Sequence, residues 1–144
     1  WGPMGAMICW ESYLPLARTA LYQKGVTIYL APNTNDNEEW QSTVRHIAIE
    51  GRCYVVNCNM FFTRSDYPCD LNGSDEIAKL PDVVCRGGSS VIAPTGHPVM
   101  EPAWDEEAIL YADLPMDQVP ASRMEFDPAG HYSRPDVLEL IVHQ

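Results

Sequence analysis

The sequence predicts an α/β fold, and three observations carry that expectation. Short apolar, β-prone runs alternate with amphipathic helical segments through the first sixty residues. The connections between them are short, which predicts neighbouring parallel strands joined by right-handed crossovers. A glycine- and proline-punctuated hairpin follows, and no repeat or linker splits the 144 residues.

Each element has a local cause. Ala6–Trp10 is a continuous apolar run after Gly5 and predicts a short buried strand. Ser12 is placed to cap a helix over Tyr13–Lys24, with Pro15 in its first turn, where proline is tolerated. Lys24 and Gly25 close it with a cation and a left-handed cap. Val26–Ala31 is a second strand, followed by the turn residues "PNTNDN". Glu39–Arg52 is a second amphipathic helix, with Trp40, Val44, Ile47 and Ala48 on one side, and Cys53–Met60 is a third strand. Phe62–Arg86 is a long charged excursion without a period. "GGSSVIAPTGHPVMEP" predicts a hairpin turning at Thr95-Gly96. Ala108–Leu114 predicts another strand and Met116–Phe126 a short helix, before an extended tail. Both main helices can cover one sheet face, so a second cover is expected from another chain or from a further half of the protein.

Composition limits the function. Hydrophobic residues make up 46% and charged residues 20%, an ordinary globular mix. Nine basic against twenty acidic residues gives a net charge of −11, which argues against nucleic-acid or anionic-membrane partners. Five cysteines without C-x-x-C spacing argue against a disulfide framework or zinc site and favour a reducing, cytoplasmic setting. No apolar run approaches the ~20 residues of a membrane span, and there is no basic-plus-apolar leader. The chain opens on Trp1 rather than Met, which predicts a processed or partial sequence.

Cys9 is the candidate nucleophile. It ends the first strand, and sites in open α/β sheets form at the carboxyl ends of strands. Helix N-terminal amides there would favour a thiolate and hold an oxyanion. The competing reading is a small buried hydrophobe, the ordinary fate of a free cysteine. Cys53 and Cys58, inside an apolar strand, take that second reading. Trp10 either walls a substrate pocket or is a buried aromatic. Pro32, Asn33 and Thr34 end the neighbouring strand; they line a pocket beside Cys9 or simply build a turn.

The block "GAMICWESYLPLARTALYQKGVTIYLAPNTNDNEEWQSTVRHIAIEGRCYVV" resembles the nitrilase branch of the carbon–nitrogen hydrolase superfamily. The resemblance continues through "RGGSSVIAPTGHPVMEP" to "GHYSRPDVLEL" and leaves out the excursion at about Thr63–Val83. Cys-Trp-Glu is specific to nitrilases within that superfamily. The resemblance implies the C-terminal portion of a four-layer α-β-β-α sandwich. It implies that Cys9 attacks a nitrile carbon to give a thioimidate, then a thioester, and finally the carboxylic acid and ammonia, without metal or organic cofactor. It also implies a homo-oligomer formed through helices 13–24 and 39–52.

The family's general-base Glu and its Lys precede the cysteine strand, whereas only "WGPMGAMI" precedes Cys9 here. Lys24 and Lys79, the only lysines, match neither position. The expected picture is half of a carbon–nitrogen hydrolase domain, inactive by itself. Glu11 matches the motif's structural glutamate and is expected to orient the turn rather than act as base. His46, tempting as a Cys–His partner, is expected to be a buried, hydrogen-bonded histidine; His131 is expected to anchor the tail or touch a subunit, and His97 to be exposed. Cyanide hydratase or dihydratase, an amidase, and a non-catalytic fragment or assembly module are the alternative functions.

Overall fold

The fold, taken from a computed structural model, is described for residues 1–71 and 73–143. Three parallel strands form its first half: β1 (Met4–Ala6), β2 (Ile28–Asn33) and β3 (Tyr54–Asn59). Ala6 pairs with Leu30, and Leu30 with Val56. A 3-10 turn at Cys9–Tyr13 and helix α1 (Pro15–Gln23) join β1 to β2, and α2 (Glu38–Gly51) joins β2 to β3. Then come β4 (Phe61–Thr63), the short α3 (Ser74–Ile77), β5 (Val83–Ile92), β6 (Pro98–Trp104) and α4 (Gln118–Glu125). β5 runs antiparallel to β3, β4 and β6. The β5–β6 hairpin closes where the Ala93 N–H donates to the His97 carbonyl at 2.8 Å, with Gly96 at φ 84°.

Five local expectations change. The strand expected over Ala6–Trp10 lies at Met4–Ala6, because the chain leaves the sheet to place Cys9 in a turn. Ser12 does not cap α1; Leu14 occupies that position and Ser12 is buried beneath the turn. Residues 108–114 form no strand: they find no ladder partner, and Ile109 and Tyr111 stand exposed. The excursion opens with β4 and closes as the first half of β5, so pairing orders both its ends. α2 begins one residue early because the Asn37 side chain accepts the Trp40 N–H at 2.9 Å.

Alternation along β2 and β3 assigns the two faces. Tyr29, Ala31 and Val55 join Trp40, Val44, Ile47 and Ala48 of α2 in one core, with Tyr22 of α1. On the other face Ile28, Tyr54 and Ala93 pack with Val119 of α4, and Leu114 and Met116 border them. The chain therefore covers part of this second face itself, which the sequence reading did not foresee. Toward the carboxyl ends of β2 and β3 the cover stops: Leu30, Pro32, Cys58 and Met60 are exposed.

Candidate active site

The turn at Cys9 is built by hydrogen bonds from three directions. Cys9 itself has φ 51°, the left-handed region that an L residue enters only when its surroundings impose it. Locally, the Ile8 N–H donates to Glu11 Oε2 at 2.8 Å and the Glu11 N–H to the Ile8 carbonyl at 3.0 Å. From α1, Arg18 Nη1 donates to the Ser12 carbonyl at 2.6 Å. From β2, the Tyr29 hydroxyl donates to Ser12 Oγ at 3.0 Å.

Arg18 is fixed in turn by Glu50 on α2. Its Nε and Nη2 reach the carboxylate at 2.7 and 3.2 Å, and the Tyr22 hydroxyl adds a bond of 2.8 Å. Burial raises the Glu50 carboxyl, but the bonds from Arg18 and Tyr22 outweigh it and hold the group below its ordinary range. Burial, and then the Glu50 charge, push the Tyr22 phenol far upward, so it acts as a neutral donor.

Beside the thiol lies the loop after β2. Asn35 Nδ2 approaches Cys9 Sγ at 3.4 Å, and Asn35 Oδ1 accepts the Trp10 indole N–H at 2.8 Å. Two strand-end asparagines pin the Asn35 backbone: Asn33 Oδ1 accepts its N–H at 2.9 Å, and Asn59 Nδ2 donates to its carbonyl at 2.7 Å. Asn33 is held by Asn57 Oδ1 at 2.6 Å, and Asn57 also accepts the Trp40 indole N–H at 2.9 Å. This buried polar ladder connects the core of α2 to the rim of the site.

The sequence candidates fall around this rim. Cys9 is half-buried at the end of β1. Trp10 is 67% exposed, so it is not the buried aromatic of the alternative reading. Pro32 and Thr34 are exposed, whereas Asn33 is buried and its amide is fully occupied within the ladder. The expected helix N-terminus does not abut the thiol, because α1 begins only at Pro15; the group that faces Sγ is the Asn35 amide. Glu11 is engaged by Ile8, as an orienting residue is. His46 is exposed, not buried, and lies 3.7 Å from Glu50 on the outer side of α2. His97 and His131 are exposed. Lys79 pairs with Glu76, and Lys24 sits at the far end of α1, about 14 Å along that helix. Among the described residues no group of three or more His, Cys, Asp or Glu is arranged to hold a metal ion. No helix among them is long and apolar enough to cross a membrane.

Sequence reasoning missed Asn35. Its signal was present: Asn33 and Asn35, then Asn57 and Asn59, recur two apart at the ends of adjacent strands, where asparagine is depleted.

Comparison with known proteins identifies the family. Residues 1–124 match the carbon–nitrogen hydrolase family model. The chain is 46% identical over its full length to an aliphatic nitrilase of Sinorhizobium fredii, spanning 46% of that protein. It is 45% identical over 98% of its length to a bifunctional nitrilase/nitrile hydratase of Lupinus angustifolius, spanning 42% of it. Thus the chain spans about half the length of the curated relatives it matches. In fold it resembles a carbon–nitrogen hydrolase from Helicobacter pylori, with a TM-score of 0.72 at 24% identity over 94% of this chain and 47% of that one. Nit3 of Saccharomyces cerevisiae gives a TM-score of 0.69 at 22% identity, covering 92% and 44%. On its family match and its curated relatives, the chain belongs to the carbon–nitrogen hydrolase family, on the nitrilase branch.

Proposed function

We propose that this chain carries the nucleophile of a nitrilase, which converts R–C≡N and two waters to R–COOH and ammonia. The observation that carries the reading is Cys9, held left-handed at the end of β1 with a side-chain amide at its sulfur, within a chain 46% identical to an aliphatic nitrilase. The thiolate adds to the nitrile carbon, and the nitrogen takes up a proton to give a thioimidate. Water adds to that carbon and ammonia leaves, giving a thioester. A second water displaces the thiolate and releases the acid. Trp10, Pro32 and Thr34 wall the substrate, with Asn33 supporting them from beneath.

The chain is part of a carbon–nitrogen hydrolase domain, and residues outside it supply the general base and the lysine. Two observations support this: the apolar sheet face left open beside the site, and Glu11, Lys24 and Lys79 being engaged or distant. The isolated chain accordingly does not hydrolyse nitriles. Exposed Leu16 on α1 and Ile49 on α2 support homo-oligomerisation through these two helices. Five free thiols support a cytoplasmic setting.

Ammonia release from aliphatic and aromatic nitriles by the intact protein tests the reading. Cys9→Ala abolishes it; undiminished hydrolysis in that variant ends the proposal. Clear turnover by the 144 residues alone would show that the groups near Cys9 suffice.

A further inference from the structure

We infer that Asn35 is a further catalytic residue: its side-chain amide donates to Cys9 Sγ and stabilises negative charge on the sulfur, with Trp10 orienting that amide. The inference rests on Cys9 being the nucleophile, and it concerns how the thiol is activated before substrate arrives.

The orientation of the amide follows from chemistry. An indole N–H can only donate. Trp10 Nε1 lies 2.8 Å from one end of the Asn35 amide, so that end is the oxygen. The other end is then the NH2 group, and it faces Cys9 Sγ at 3.4 Å. The opposite assignment would set two donors against each other at Trp10. A donor at this place favours the charged form of the sulfur, because hydrogen bonds to an ion are stronger than those to the neutral group.

The loop is also built to keep the amide there. Asn33 and Asn59 hold the backbone N–H and carbonyl of Asn35, and they hang from the ends of two adjacent parallel strands. The Asn35 side chain therefore starts from a fixed backbone and ends between two fixed groups, Trp10 and Cys9. This also gives the tryptophan after the nucleophile a task beyond walling the pocket. Its ring is exposed, while its N–H sets the amide that faces the sulfur. Asn33, Asn59 and Trp10 act through Asn35 and are positioning residues.

The test is site-resolved alkylation with iodoacetamide on the full chain, read by peptide mass spectrometry from about pH 5 to about pH 9. Asn35→Asp keeps the acceptor for Trp10 but turns an acceptor toward the sulfur. Near neutral pH it slows Cys9 alkylation about tenfold, the size of one hydrogen bond to an ion. Asn35→Ala slows it several-fold, and both deficits narrow toward the top of that pH range, where an accessible thiol ionises without help. A merely structural role would not give this pH profile. Cys58, exposed on β3, is the internal reference and keeps its rate. Cys53, fully buried, reports folding, since it labels only if the variant opens. Trp10→Phe, a surface change that frees the amide to flip, slows Cys9 about two- to threefold and decides the matter if an Asn35 variant unfolds. Wild-type rates in a folded Asn35→Ala and Asn35→Asp, or in Trp10→Phe if they unfold, overturn the inference. Retained hydrolysis in Cys9→Ala would instead overturn the nitrilase reading, while the alkylation still reports the contact at Asn35.

Discussion

Glu50→Ala removes the carboxylate on which the turn at Cys9 finally rests. Arg18 keeps its charge at 8% side-chain exposure, and the Tyr22 hydroxyl loses its acceptor. Breaking a fully buried ion pair costs about 3–5 kcal/mol, and breaking a surface pair about 0–1 kcal/mol. The Glu50 side chain is 30% exposed, which places the loss at about 2–3 kcal/mol after that screening. For a domain of this size the midpoint of thermal unfolding then falls roughly 7–10 °C. Urea unfolding of the wild type, Glu50→Ala, Arg18→Ala and the double variant measures the coupling, and the double loss should be about 1–2 kcal/mol smaller than the sum. The pH dependence has a fixed sign. The folded carboxyl lies below its ordinary 4.5, so Glu50 contributes fully above that value, and its contribution is lost as pH falls through the folded value. The gap between wild type and Glu50→Ala should therefore hold at neutral pH and close in acid. Strictly additive losses, or a Glu50→Ala variant within about 0.5 kcal/mol of wild type, would refute the load assigned to this pair.

Gly51→Ala tests the close approach of α2 to α1: a Cβ there would overlap the Tyr22 ring, which its bond to Glu50 holds in place. Alanine favours the helix, yet the overlap should destabilise the protein by about 1–3 kcal/mol in urea unfolding; equal or greater stability would remove the packing argument. Burial pushes the Cys53 thiol up to about 12, with Arg123 offsetting part of the rise. Native labelling near neutral pH should leave Cys53 untouched while exposed Cys58 and Cys69 react, and labelling of Cys53 at the Cys58 rate would contradict its burial.

The sheet and its two covering helices were legible because apolar periodicity and capping are local. Trp40, Val44, Ile47 and Ala48 repeat at helical spacing and meet one face of β2 and β3. Cys9 was legible as a residue and not as a conformation. Its apolar neighbours Ala6, Met7 and Ile8 read as strand, but contacts from Arg18 on α1 and Tyr29 on β2, which form only once those elements pack, hold the following turn out of the sheet. Asn35 was hidden for a related reason: "PNTNDN" satisfies ordinary turn chemistry, and only the pairing of β2 with β3 brings four asparagines into one ladder. Residues 108–114 show the converse, since a strand-like composition makes no strand without a neighbour to pair with.

The left-handed backbone at Cys9 has a consequence for laboratory evolution. Glycine enters that region freely, while any residue with a Cβ is disfavoured there by about 1–2 kcal/mol. Under the role proposed for Cys9, the sturdiest variant and the working variant are therefore different molecules. A library sorted only by yield or heat resistance will enrich Cys9→Gly and discard the thiol proposed as nucleophile. Stabilising campaigns on this scaffold need an activity filter at every round, because selection for folding alone pulls against the one residue that gives the turn its purpose.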